Sequence, residues 1–150
     1  METEQNKQPK TPERLEEMLG KCLEEFPLDL AFVFGSRADR SEDKYSDLDV
    51  AVKFKRDISK EDKLKLMDKI TAEIIGETRI EKVDLLDLDN SDLEIAYNAV
   101  SEGKRVLGSE EQAQETKIRL QHLYWDFKPV KERWRNAMKE RIEADTYGRP

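Results

Sequence analysis

One strictly alternating segment constrains the fold more than any other part of the sequence. In residues 47–54, apolar side chains at every second position alternate with Asp47, Asp49, Ala51 and Lys53. Successive side chains of a β-strand point to opposite faces, so a period of two predicts a strand with one buried face. The chain must therefore form a sheet in which two carboxylates lie at the start of one strand.

Other strands are indicated by short apolar runs. Residues 28–34 form a run with Phe and Val that predicts a buried strand ending at Gly35-Ser36. Residues 80–88 predict a third strand, and residues 105–107 a short edge strand. These segments supply a small central sheet.

Helical patterns separate the strands. The first helix is expected to begin at Thr11-Pro12 and to end at Pro27, and the second to run from the Ser59 region to Gly76. The third is expected to be capped by Asn90 or Ser91 and to end at Gly103. The remainder from residue 110 is helical in pattern, with a break expected near Pro129.

Helices alternating with strands predict an α/β (α+β) fold, a small central sheet with helices packed against it, followed by a C-terminal helical extension. We expect residues 1–10 to form a flexible tail, residues 11–108 the main domain and residues 109–150 the helical extension. A chain of 150 residues suits one such domain.

Charge and cysteine content exclude several classes of function. The formal net charge of −7 argues against a general nucleic-acid coating protein, so nucleic acid is an unlikely direct ligand. The single cysteine, Cys22, excludes a disulfide framework and a thiolate metal cluster. No apolar run is long enough for a membrane span, and there is no apolar signal segment, so we expect a cytoplasmic protein without membrane contact.

Polar residues that could bind a ligand or a metal ion cluster at the ends of the predicted strands. Gly35 lets a phosphate approach the backbone closely and Ser36 adds a hydroxyl donor, although such pairs are often only turns. Asp47 and Asp49 project from one face of their strand, roughly 7 Å apart, where two carboxylates can share hard cations. The alternative is that Asp47 caps a turn and Asp49 faces solvent.

A third acidic residue, Asp84, lies inside the apolar segment of residues 83–86. If its strand adjoins that of Asp47 and Asp49, Asp84 completes a set of three carboxylates that binds metal and takes the proton of an attacking hydroxyl. Two metal ions about 3.5–4 Å apart would stabilise both the attacking and the leaving oxygen of an in-line displacement. Asp87 and Asp89 are rival candidates, with a solvated strand end as the alternative for each.

In combination, three segments resemble the minimal nucleotidyltransferase (MNT) family of the polymerase-beta superfamily. They are Phe34-Gly35-Ser36-Arg37-Ala38, Ser46-Asp47-Leu48-Asp49-Val50 and Val83-Asp84-Leu85-Leu86-Asp87-Leu88, within residues 28–108. The resemblance implies the minimal nucleotidyltransferase fold, with a short mixed sheet flanked by helices, and ATP as the substrate. It also implies two Mg²⁺ ions held by Asp47, Asp49 and Asp84, which are both the metal ligands and the catalytic residues.

The same resemblance implies nucleotide contacts from the first two segments, by Gly35, Ser36, Arg37 and Ser46. For Arg37 the alternative is a surface arginine of a helix. Arg40 departs from the pattern, because the family often has a glycine near this position, and the departure leaves the loop geometry open.

The C-terminal Tyr124-Trp125-Asp126-Phe127-Lys128-Pro129 segment resembles members that pair with HEPN toxins. The resemblance therefore implies an antitoxin that transfers AMP from ATP to a tyrosine of a partner HEPN RNase toxin and so neutralises it. Two other functions remain open. One is a non-catalytic antitoxin that acts by binding alone, and the other is nucleotidyl transfer to a small molecule or RNA.

Residues 117–141 hold eight Lys or Arg and three Asp or Glu, in a chain that is acidic overall. This segment is interpreted either as a docking surface for an acidic partner protein, as an RNA contact or as the solvated face of a helix. Trp125, Phe127 and Trp134 favour docking, because aromatic residues beside arginine are typical of interface anchors.

Overall fold

The computed structural model describes residues 8–35 and 48–147, with side chains described up to residue 144. Within these ranges the chain forms four helices and four strands. In chain order they are α1 (Pro12–Leu23), β1 (Leu28–Phe34), β2 (Leu48–Phe54), α2 (Lys60–Thr78), β3 (Val83–Asp87), α3 (Leu93–Glu102), β4 (Lys104–Leu107) and α4 (Glu110–Tyr147).

The four strands form one mixed sheet in the order β3-β2-β1-β4. β1 pairs antiparallel with both β2 and β4, whereas β2 and β3 run parallel. As a result β1 ends at the same end of the sheet at which β2 and β3 begin. The predicted α+β class, a short mixed sheet flanked by helices, is confirmed.

Each face of the sheet is covered by two helices. On one face, alternate apolar residues of β1 and β2 pack against buried side chains of α1 and α2. On the other, the remaining apolar residues pack against α3 and the first half of α4. The aromatic rings of Tyr97 in α3 and Tyr124 in α4 stack at a centroid distance of 4.8 Å and join these two helices.

Local capping signals explain most of the helix boundaries. The Thr11 side chain accepts from the Arg14 N–H at the start of α1, and Ser59 accepts from the Asp62 N–H at the start of α2. Helix α2 ends two residues beyond the predicted Gly76, at Thr78, followed by Arg79 in a left-handed conformation with φ 63°. The third strand is shorter than predicted and starts at Val83.

The predicted cap of the third helix was wrong by one or two residues. Neither Asn90 nor Ser91 caps α3, because the Asp92 side chain accepts from the Glu94 N–H instead. The preceding residues are held in a turn by Asp87, whose carboxylate accepts from the Asp89 N–H and from Nδ2 of Asn90. Because of this turn, the helix begins only at Leu93.

The predicted break near Pro129 was also wrong. Helix α4 is continuous over 38 residues and includes Pro129. A proline in a helix removes the N–H that would bind the carbonyl four residues earlier, here that of Trp125. Both residues are exposed, so water can satisfy that carbonyl. No helix within the described ranges combines the length and apolar composition that a membrane span requires.

Candidate active site

The parallel pairing of β2 and β3 brings two of the predicted site residues together. Asp49 and Asp84 are register partners on these neighbouring strands, which lie about 4.8 Å apart in a sheet. In-register residues of adjacent strands point to the same face, so the two carboxylates lie side by side. Asp84 is exposed and Asp49 is half-buried. Asp84 lies within the apolar strand β3, as expected, but its side chain is exposed and therefore carries no burial cost.

Gly35 is packed directly against this pair. It follows β1, whose last residue Phe34 is the antiparallel register partner of Asp49. Gly35 has a φ of 81°, and a Cβ at this position would collide with Oδ2 of Asp49 and lie 3.3 Å from its Cγ. Only glycine combines this backbone conformation with so close a neighbour. Gly35 thus makes room for the Asp49 carboxylate.

The carboxylate pair lies on the face of the sheet that α3 covers. Phe34 of β1 and Leu86 of β3 belong to the apolar cluster on that face, and so does Tyr97 of α3. The opposite face of β2 carries Leu48 and Val50, both fully buried. Burial on one face fixes the register, since a slip of one residue would turn the carboxylates into the core.

Several predicted site residues lie outside the described residues. They are Ser36, Arg37, Arg40, Ser46 and Asp47. Their predicted roles in nucleotide and metal binding stay predictions. Of the predicted set, the described part of the chain brings together Gly35, Asp49 and Asp84.

Asp87, one of the rival carboxylates, points to the other face of the sheet. Its side chain is 7% exposed, lies 3.7 Å from Nζ of Lys63 in α2 and accepts two hydrogen bonds in the turn before α3. A buried carboxylate that is paired and hydrogen-bonded has a structural function. Asp87 is therefore separated from the candidate active site by the sheet itself.

Asp89, the other rival, lies beyond the far end of β3. Its carboxylate accepts from Nζ of Lys53 at 3.1 Å and lies 3.8 Å from Arg119 of α4. Lys53 is four residues from Asp49 along β2, about 13 Å at the usual rise of a strand. Asp89 thus belongs to an ion-pair network that joins the sheet to α4.

The donor set at Asp49 and Asp84 fits a hard divalent cation. Carboxylate oxygens are the ligands that Mg²⁺ accepts in proteins, and a cation relieves the repulsion between two adjacent negative charges. Among the described residues no group of three or more His, Cys, Asp and Glu side chains is arranged as a metal site. The third predicted ligand, Asp47, lies outside that part of the chain, two residues before Asp49.

Sequence reasoning missed one relationship at this site. Gly35 was interpreted as a residue that admits a phosphate, whereas its described contact is with the carboxylate of Asp49. The contact depends on the antiparallel pairing of the first two strands, which places the end of one beside the start of the other and which the sequence alone does not give. The glycine and the carboxylate are therefore parts of one local arrangement.

Solved structures share this fold at low sequence identity, although no curated protein sequence matches the chain. A crystal structure of a toxin–antitoxin with AMP-PNP superposes with a TM-score of 0.59 at 22% identity, covering 78% of this chain and 95% of the other. The toxin–antitoxin MntA-HepT gives 0.55 at 21% identity, with 80% and 96% covered. At this level of identity the likeness establishes the fold.

A third structure contains a modified toxin. It is the tri-AMPylated Shewanella oneidensis HEPN toxin in complex with MNT antitoxin, with a TM-score of 0.55 at 22% identity, covering 81% of this chain and 97% of the other. The family model described as "Polymerase beta, Nucleotidyltransferase" matches residues 17–112, well over half of the chain. This range includes the pair Asp49 and Asp84 together with Gly35, and the chain belongs to the polymerase beta nucleotidyltransferase family.

Proposed function

We propose that this protein is an Mg²⁺-dependent nucleotidyltransferase that acts as an antitoxin by transferring AMP from ATP to a tyrosine of a partner HEPN toxin. The observation that carries the proposal is the side-by-side position of Asp49 and Asp84 against Gly35. Membership of the nucleotidyltransferase family supports the class of reaction. The named fold neighbours, one with AMP-PNP and one with a tri-AMPylated HEPN toxin, support the nucleotide and the acceptor.

The transfer is a substitution at the α-phosphorus of ATP. The phenol oxygen of the acceptor forms a bond to that phosphorus, the bond to the β-phosphate oxygen breaks, and pyrophosphate leaves with the electron pair. The phenolic proton passes to Asp84, which lies exposed where an acceptor from another molecule can reach it. Asp49, half-buried against Gly35, is the more rigidly held of the two carboxylates.

Magnesium would be held by Asp49 and Asp84, with Asp47 as the third proposed ligand. When bound, it supplies positive charge to the phosphate oxygens on which negative charge accumulates. The chain's own contribution is positioning, because two strands of one sheet hold the carboxylates at a fixed separation. Gly35, Ser36, Arg37 and Ser46 remain the proposed contacts of the nucleotide.

The location of the protein follows from this proposal. An antitoxin that uses ATP and acts on an RNase would work in the cytoplasm. Fractionation of cells that express a tagged chain tests this point. Recovery of the protein in the soluble cytoplasmic fraction is expected, and recovery elsewhere would contradict it.

Intact-mass measurement of the partner tests the proposal directly. The partner HEPN toxin that the proposal requires is incubated with the chain, ATP and Mg²⁺. An increase by whole AMP units, absent with Asp49→Asn and retained with Asp89→Asn, is expected, because Asp89 lies in the ion-pair network at the far end of the sheet. Inhibition of the toxin without any mass increase would instead identify an antitoxin that acts by binding alone. Transfer of AMP to a small molecule or RNA, with the HEPN protein left unmodified, would contradict the proposal that a tyrosine of the toxin is the acceptor.

A further inference from the structure

Beyond Lys131, whose Nζ donates to Oε2 of Glu94 and lies 3.9 Å from Asp92 at the start of α3, helix α4 projects from the packed part of the domain. Lys131 is the last residue of α4 that is partly buried, and every side chain from residue 132 to residue 144 is exposed. At 1.5 Å per residue these thirteen residues extend about 20 Å. The packed first half of α4 already nucleates this helix, but the exposed residues gain no stability from burial within the domain.

The projecting segment carries a continuous apolar stripe on one side. Val130, Trp134, Met138 and Ile142 recur every four residues and are 48%, 67%, 43% and 62% exposed. Residues four apart lie on one face of a helix. The stripe continues the side of α4 on which Leu120 is buried and Tyr124 stacks on Tyr97, past the point at which the domain ends. A surface that begins as core and continues exposed is suited to burial by another molecule.

A shallow groove lies where the stripe leaves the domain. It has a volume of about 110 Å³ and lies between the start of α3 and α4, with Leu93, Tyr124, Phe127 and Arg135 among its lining residues. The groove has an apolar floor and a border of mixed charge, so the excess of positive charge lies along α4 itself and not around the groove. Its position beside α3 places a bound partner on the helix layer that also covers the carboxylate face of the sheet.

The charges around the stripe identify the chemistry of its occupant. Residues 128–142 contain six Lys or Arg and two Asp or Glu, in a chain whose net charge is −7. An acidic surface complements this segment, whereas the same helix of a second copy would bring two basic segments together. RNA fits less well, because Trp134 is the only one of the four stripe residues with a planar surface on which a base can stack.

We infer that the stripe of Val130, Trp134, Met138 and Ile142 is the docking surface for an acidic face of the partner toxin. This inference rests on the proposed function, which supplies the partner. It assigns binding to the projecting half of α4 and chemistry to the strand ends, so the two can be separated by mutation. Trp134 is the expected anchor, since it is large, aromatic and the most exposed member of the stripe.

The chain offers a matched control for Trp134. Trp125, also in α4 and 56% exposed, lies nine residues earlier, and at 100° per residue the two indole rings point about 180° apart. Of the three aromatic residues interpreted as docking anchors, Phe127 and Trp134 lie near the stripe and Trp125 lies opposite to it. Replacing either tryptophan by alanine removes the same side chain, and the two variants differ in the side of the helix from which it is removed.

The test measures the Kd of the purified chain for the partner HEPN toxin by titration calorimetry. Trp134→Ala should weaken binding at least about 30-fold, as expected for an interface anchor. Trp125→Ala should change it less than about 3-fold. Added salt should raise the Kd of the wild type, because the attraction is between opposite charges. Circular dichroism establishes that both variants retain the helix content of the wild type.

Several outcomes would overturn the inference. An unchanged Kd for Trp134→Ala together with AMP transfer by the wild type would refute the surface and leave the proposed function intact. Stripe-dependent binding without any mass increase would refute the transfer and leave the surface intact. Equal losses for the two tryptophan variants, or no binding by the wild type, would refute the surface. So would a dimer of the chain alone that Trp134→Ala dissociates, or RNA binding that requires Trp134.

Discussion

Asp49 and Asp84 occupy the same register position on the parallel strands β2 and β3, although 34 residues separate them in the sequence. Two adjacent negative charges on one face of a sheet are unfavourable in themselves. Neither residue belongs to the apolar core. The apolar residues of β2 and β3 either point to the opposite face of the sheet or lie further along the same strand. An arrangement with an electrostatic cost and little contribution to packing indicates a chemical function.

Loss of either carboxylate should abolish transfer without unfolding the protein. Asp49→Asn and Asp84→Asn each preserve shape but remove a negative charge, so we expect kcat/KM to fall by at least about 100-fold. The measurement is single-turnover labelling of the partner with radiolabelled ATP. Asp89→Asn serves as the control, because Asp89 forms ion pairs with Lys53 and Arg119 away from the site. Activity near the wild-type level in Asp84→Asn would exclude Asp84 from the chemistry.

Asp87 should show the reverse behaviour. Only three residues from Asp84, it is buried, lies 3.7 Å from Lys63 and accepts two hydrogen bonds in the turn before α3. Asp87→Ala should therefore lower the free energy of unfolding by about 2–3 kcal/mol, because Lys63 and two donors lose their partner. Asp84→Ala, at an exposed position, should change it by less than about 0.5 kcal/mol. Urea denaturation of the two variants makes the comparison, and equal losses would contradict the assignment of Asp87 to structure.

Local pattern was sufficient to predict the strands that carry the site. The apolar run of β1 and the alternation of β2 gave bounds within one residue of those observed, Leu28–Phe34 and Leu48–Phe54. Both strands are buried on at least one face, and a pattern of apolar residues in the sequence reflects such burial. The adjacency of β2 and β3, on which the pairing of Asp49 and Asp84 depends, was a hypothesis that the sheet order confirms.

Features that depend on contacts between distant residues were not predictable in this way. The turn that precedes α3 depends on a hydrogen bond to the Asp87 carboxylate, and this carboxylate also forms an ion pair with Lys63 of α2. Pro129 does not interrupt α4, because its missing hydrogen bond falls on an exposed part of the helix. The contact of Gly35 with Asp49 follows from the register of two strands, which the sequence suggests only after their pairing is known.

Gly35 should tolerate no side chain. Gly35→Ala introduces a Cβ that collides with the Asp49 carboxylate at a residue with φ 81°, so we expect destabilisation by about 1–3 kcal/mol and a loss of transfer activity. Gly76→Ala in α2 is the matched control. A Cβ there meets nothing within 4 Å, and alanine should stabilise the helix by about 0.5–1 kcal/mol. Thermal unfolding of the two variants should give shifts of opposite sign, and a stabilised Gly35→Ala variant would contradict the packing described.

Cys22 should be inert in the folded protein. Burial, followed by the nearby carboxylates of Glu73, Glu77 and Glu25, raises the pKa of its thiol from 9.0 to about 12. Because the thiolate is the reactive form, modification by a thiol reagent at pH 8 should be about 1,000-fold slower in the folded than in the unfolded protein. Reaction rates with and without denaturant provide the measurement. Similar rates in both states would contradict the burial of this side chain.

The same pKa shift predicts how stability depends on pH. Above pH 9 the unfolded chain releases the Cys22 proton, whereas the folded protein retains it up to about pH 12. The folded state then binds more protons than the unfolded state, so the free energy of unfolding decreases as the pH rises through this range. Other groups titrate there too, and the Cys22→Ala variant isolates the contribution of the thiol. Urea denaturation between pH 8 and 10.5 should give a steeper decline for the wild type than for Cys22→Ala, and parallel curves would exclude a raised thiol pKa.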